Sequence, residues 1–116
     1  MMWTDLTTDE QLNDIKALSA SQPVVIFKHS TRCSISNMAH SRLQKLTNTH
    51  GAVFYYLDLL NYRPLSNRIA EVYSVHHESP QVLLIVNGEC VYDESHNGIT
   101  VDELVEQIES HRLTQA

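Results

Sequence analysis

The chain has 116 residues, with eight basic against fourteen acidic side chains and a formal charge of -6 when its seven histidines are neutral. Its length makes one domain, residues 1–116, the expectation, and 42% apolar residues suit an ordinary core. The basic residues are scattered, so the chain lacks the positive face that nucleic acid or an anionic membrane surface demands.

Along the chain, Thr8-Asp9-Glu10-Gln11 reads as a capping box, followed by Leu12, Ile15 and Leu18 at helical spacing. Gln22-Pro23 breaks that helix, and Val24 to Lys28 reads as a buried strand. A polar turn carrying Cys33 follows. Ile35, Met38, Ala39, Leu43 and Leu46 then mark the inner face of a second helix, expected to end near His50-Gly51. Val53 to Leu59 is the second strand, rich in β-branched and aromatic residues. Pro64 opens a third helix, with Leu65, Ile69, Val72 and Tyr73 facing inward. Val82 to Val86 is a third strand, and Asn87-Gly88 turns it into an antiparallel return over Glu89 to Tyr92. Beyond Asn97-Gly98, a last helix carries Val101, Leu104, Val105 and Ile108 on one face. The order α-β-α-β-α-β-β-α predicts an α/β, thioredoxin-like fold: a mixed four-stranded sheet core with helices on both faces.

No apolar run approaches the roughly 20 residues that span a bilayer. The start Met1-Met2-Trp3-Thr4-Asp5 has no signal-peptide core, so a cytoplasmic location is expected. Two cysteines in such a chain are expected to be reduced thiols. Nothing marks a large exposed apolar patch, which favours a monomer.

Cys33 lies where a strand passes into a helix, and unpaired N–H groups and the helix dipole favour an anion there. The thiolate is the nucleophilic form of cysteine. Three residues on, the chain has Ser36, so the site reads Cys-x-x-Ser. The Ser36 hydroxyl is placed to bond the thiolate or the helix end, or it is an ordinary first-turn serine. It cannot resolve a disulfide. His29 and Arg32 either favour the thiolate by charge or simply face solvent at the mouth of the loop.

Cys90 is the other candidate partner. It falls beyond the hairpin, so about 20 Å of strand separates it from the Pro80 end of the sheet. A disulfide needs Cα atoms within roughly 7 Å, so Cys90 reads as a sheet residue. The seven histidines lack the spacing of a zinc site.

The segment Phe27-Lys28-His29-Ser30-Thr31-Arg32-Cys33-Ser34-Ile35-Ser36, with Ser79-Pro80 opening a later strand, resembles the thioredoxin superfamily. Within it, the segment is most similar to the YtxJ family of bacilliredoxins, monothiol oxidoreductases linked to the small thiol bacillithiol. The resemblance implies that Cys33 and Ser36 form the catalytic pair and that S-thiolated proteins are the partners. No bound cofactor is then needed, and bacillithiol serves as a thiol co-substrate.

It also implies that Pro80 is a cis-proline facing the thiol, leaving the Ser79 backbone to pair with an extended substrate. Arg32 and Ser34 depart from the family's Thr-Cys-Pro-Ile-Ser pattern. Arg32 adds positive charge, and Ser34 keeps an N–H that proline lacks, so both substitutions favour the thiolate and are placed in the substrate site with Ser79 and Pro80. Three other possibilities stay open on the residues alone: a non-catalytic peptide-binding module, a glutathione-linked monothiol glutaredoxin, and an iron–sulfur cluster held through Cys33 and an external thiol.

Overall fold

The computed structural model describes residues 3–112. Met1, Met2 and residues 113–116 of the expected 1–116 domain lie outside the described residues. The elements are β1 (Thr4–Asp5), α1 (Glu10–Leu18), β2 (Val24–His29), α2 (Ser34–Leu43), β3 (Val53–Asp58), α3 (Arg63–Tyr73), β4 (Gln81–Val86), β5 (Glu89–Ser95), a 3-10 turn (His96–Gly98) and α4 (Val101–Arg112).

One sheet runs β1-β3-β2-β4-β5, with β1, β3 and β2 parallel and β4 and β5 antiparallel. The expected four strands are all present, and β1 adds a fifth at the edge. Two polar residues carry no strand periodicity; Thr4 and Asp5 are held by pairing with Tyr55 and Tyr56. Trp3 then packs edge-on against Phe54, 5.3 Å away.

Residues alternate across the central strands, so each face collects its own core. Val25 and Phe27 of β2 meet Ala39, Leu43, Leu104 and Ile108, which seats α2 and α4 on one face. Val24 and Ile26 meet Leu12, Ile15, Leu65 and Ile69, which seats α1 and α3 on the other. β2 and β4 are buried along their whole length. Covered on both faces, they read as unbroken apolar runs rather than alternating ones.

Local chemistry accounts for most element ends. The Thr8 Oγ1 accepts the Gln11 N–H at 3.4 Å while Gln11 Oε1 accepts the Thr8 N–H at 3.1 Å, the reciprocal bonds of a capping box. Pro64 sits in the first turn of α3. Asn87 and Gly88 both have positive φ, 52° and 78°, as a two-residue hairpin turn of the I′ kind requires.

Two helix faces differ from expectation. α2 ends at Leu43, not near His50-Gly51, and buries Ser36, Ala39 and Leu43. Ile35 and Met38 are exposed instead, at 38% and 52%. They lie on the outer side of a helix only ten residues long, where a 3.6-residue period cannot also bury the Ser36 side. In α3, Val72 is likewise exposed, while Ser66 takes an inward position beside Leu65 and Ile69.

Candidate active site

β2 runs buried to His29 and leaves the sheet through a turn in which the Cys33 N–H donates to the Ser30 carbonyl at 3.1 Å. Cys33 is half-buried and is the N-cap of α2, with extended backbone at φ -103° and ψ 124°. Its carbonyl accepts the Asn37 N–H at 3.0 Å, the bond that opens the helix. The N–H groups of Ser34, Ile35 and Ser36 precede that bond and have no helical partner.

An N-cap side chain is the one placed to accept from those groups. The Cys33 thiol makes no cap bond. Ser34 and Arg32 are exposed beside it, and Arg32 makes no ion pair among the described residues.

Ser36 is fully buried. Its Oγ accepts the Ser30 N–H at 2.9 Å and lies 2.6 Å from His29 Nδ1. The hydroxyl thus ties the end of β2 to the first turn of α2, and no hydrogen bond joins it to the thiol. Sequence reading placed the serine at the site but missed this partner.

His29 neither faces solvent nor supplies a cation. It is 2% exposed and sits among the rings of Phe27, His40 and Tyr56, with centroids 5.6, 4.7 and 5.7 Å away. Burial pushes its pKa down from the usual 6.5, the neighbouring His40 adds to this, and Asp58 and the Ser36 bond oppose it. The imidazole is therefore neutral at pH 7. The apolar run Val24–Phe27 leading straight into Lys28-His29 was the one available signal that these polar residues end a buried strand.

On the neighbouring strand, Gln81 pairs with Lys28, which sets Ser79 and Pro80 beside the β2–α2 turn. The Ser79–Pro80 peptide bond is cis and Pro80 is buried. Neither the N–H nor the C=O of Ser79 has a hydrogen-bond partner among the described residues, and its buried Oγ has none either. Cys33, Ser36, Ser79 and Pro80 thus gather at one end of the sheet.

Cys90 does not join them. It pairs with Ile85, whose other neighbour is Val24, at the opposite end of β2. Five residue steps along β2 lead from Val24 to His29, on the order of 16 Å. The Cys90 Sγ lies 3.3 Å from the Tyr92 carbonyl, and burial pushes its pKa up to about 11, so it stays a thiol. A cleft of about 470 Å³ between α1 and α3, lined by Asn13, Lys16, Arg68 and Tyr73, also lies toward that far end and touches none of the site residues. Among the described residues, no group of three or more His, Cys, Asp or Glu side chains could hold a metal ion, and no helix is long and apolar enough to cross a membrane.

A mixed sheet with a cysteine where β2 meets α2, and a cis-proline leading into the antiparallel strand beside it, defines a thioredoxin-like oxidoreductase. Solved structures agree. One described as having a thioredoxin fold is 33% identical, with a TM-score of 0.77 over 88% of this chain and 89% of that one. A point mutant of thioredoxin from Halobacterium salinarum is 22% identical, with a TM-score of 0.70 over 93% of this chain and 88% of that one. Fasciola hepatica thioredoxin is 19% identical, with a TM-score of 0.73 over 95% and 99%. These last two speak to the fold alone. The family model for the monothiol bacilliredoxin BrxC matches residues 4–104, and the chain belongs to that family.

Proposed function

We propose that Cys33 is the nucleophile of a thiol–disulfide exchange that removes bacillithiol from S-bacillithiolated proteins. The observation that carries this reading is a half-buried thiol at a helix N-cap with no partner among the described residues. Ser36 is committed to His29 and Ser30, and Cys90 lies at the other end of the sheet.

In the first step the Cys33 thiolate attacks the bacillithiol sulfur of the mixed disulfide. The new S–S bond joins Cys33 to bacillithiol, and the protein sulfur leaves as a thiolate that takes a proton from solvent. A second bacillithiol thiolate then attacks the Cys33-bound bacillithiol. It frees Cys33 and departs as bacillithiol disulfide, so electrons balance with no bound cofactor. Ser79, with an unpaired backbone beside the turn, is the place for an extended substrate segment to pair, next to Pro80. Arg32 and Ser34 present an exposed cation and a hydroxyl to the small thiol's polar groups.

Intact mass after mixing reduced protein with bacillithiol disulfide tests the reading. One bacillithiol adduct on Cys33, absent in Cys33→Ser, is expected. An unmodified protein overturns it.

A further inference from the structure

The exchange gives no role to Lys28, although the side chain is fully buried. It lies on the face covered by α1 and α3, and no carboxylate among the described residues pairs with it. Its Nζ donates to the Ser66 carbonyl at 3.1 Å and stands 3.3 Å from His77 Nδ1. The Ser66 hydroxyl is 3.3 Å from the same nitrogen. An ammonium can only donate, so His77 Nδ1 must accept, and the imidazole must carry its single proton on Nε2.

His77 belongs to the loop between α3 and β4, which also carries Ser79 and Pro80. That loop is fastened at three further points. Gln81, the β4 partner of Lys28, donates its Nε2 to the His76 carbonyl at 2.9 Å. Glu78 lies 3.3 Å from His96 Nε2, and the His96 N–H donates to the Pro80 carbonyl at 3.0 Å. Of these fastenings, Lys28 with His77 is the one fixed from beneath by a buried charge.

A proton on His77 Nδ1 would set two donors against each other across 3.3 Å. Arg63 and His76 add positive charge to the imidazole, and Glu78 alone opposes them. Burial together with these cations holds the imidazole below the usual histidine value, which keeps the contact intact at neutral pH.

We propose that Lys28 and His77 are positioning residues that hold the Ser79–Pro80 loop against the thiol, and that a proton on His77 releases the hold. This rests on the reading of Cys33 as nucleophile and Ser79 as the substrate-pairing segment.

The test is steady-state exchange on a peptide–bacillithiol mixed disulfide from about pH 5 to pH 8, the range in which histidine titrates. Wild type, Lys28→Met, His77→Leu and His77→Asn are compared, with Cys33 alkylation by iodoacetamide followed in parallel. At neutral pH, Lys28→Met and His77→Leu raise KM about tenfold, as loss of a charged hydrogen bond implies, with kcat and alkylation unchanged. Wild-type KM climbs in acid. His77→Asn, which keeps an acceptor but takes no proton, holds a low KM throughout.

Equal KM in wild type and His77→Leu, or the same acid rise in wild type and His77→Asn, overturns the proposal even if Lys28→Met fails to fold. Wild type without turnover overturns the exchange reading as well. Turnover with a pH-independent KM overturns the release by a proton on His77 and leaves the exchange reading standing.

Discussion

His29 Nδ1 and Ser36 Oγ are 2.6 Å apart, and the same oxygen accepts the Ser30 N–H at 2.9 Å. This buried junction fixes the turn between β2 and α2, and with it the position of Cys33. Ser36→Ala leaves the Ser30 N–H and the imidazole without that partner. An unsatisfied buried group costs about 1–3 kcal/mol, so the urea midpoint should fall while the m-value holds. A midpoint equal to wild type would show that the junction contributes nothing.

Acid should weaken the fold through three partly or fully buried histidines. His29, His40 and His77 are each held below the ordinary 6.5, with burial the largest cause. A depressed histidine means that the unfolded chain takes its proton first as pH falls. Stability is therefore full above about pH 6.5 and is lost below it, until the folded imidazoles themselves protonate. Urea midpoints read across that window check the slope. His40→Phe, which keeps the stacking on Phe27 at 5.9 Å, should flatten part of it.

The two thiols should differ in reactivity. Cys90 is kept protonated, with a pKa near 11, and its Sγ lies 3.3 Å from the Tyr92 carbonyl. Peptide mapping after brief iodoacetamide treatment of native protein should find the label on Cys33 and little on Cys90. Exchange by Cys90→Ser should match wild type. Loss of exchange in that variant would mean that Cys90 takes part as a resolving thiol.

The parts legible in sequence were those set by local chemistry. The Val24–Phe27 run, Pro64 in the first turn of α3, Asn87-Gly88 and the placement of Cys33 between strand and helix all came from short-range pattern. What stayed hidden depended on distant partners. β1 exists only because Thr4 and Asp5 find Tyr55 and Tyr56. Leu43 ends α2 although apolar spacing continues to Leu46, which is buried in the loop beyond. His29 read as a loop-mouth group beside Arg32. It is buried because the strand carrying it is central and covered on both faces. Ser36 was found by its spacing from Cys33, but its partner His29 comes from the strand before the turn.

Gly88 separates the requirements of the fold from those of the site. Its φ of +78° lies where an L side chain is disfavoured, while a Cβ built there would meet Lys16 carbons at 3.7 and 3.9 Å, ordinary contact distances. The cost of Gly88→Ala is therefore backbone strain alone, about 1–2 kcal/mol. In a chain of this length that lowers the melting temperature by about 4–8 °C. The hairpin it turns is at the Cys90 end of the sheet, and the Ser79–Pro80 end of β4 keeps its pairing with Lys28. Calorimetry should show the lower melting temperature, while the rate of bacillithiol adduct formation at 25 °C stays at the wild-type value. A slower rate with the protein still folded would mean that strain at the hairpin travels along β4 to the Ser79–Pro80 loop, so that the two ends of the sheet are coupled.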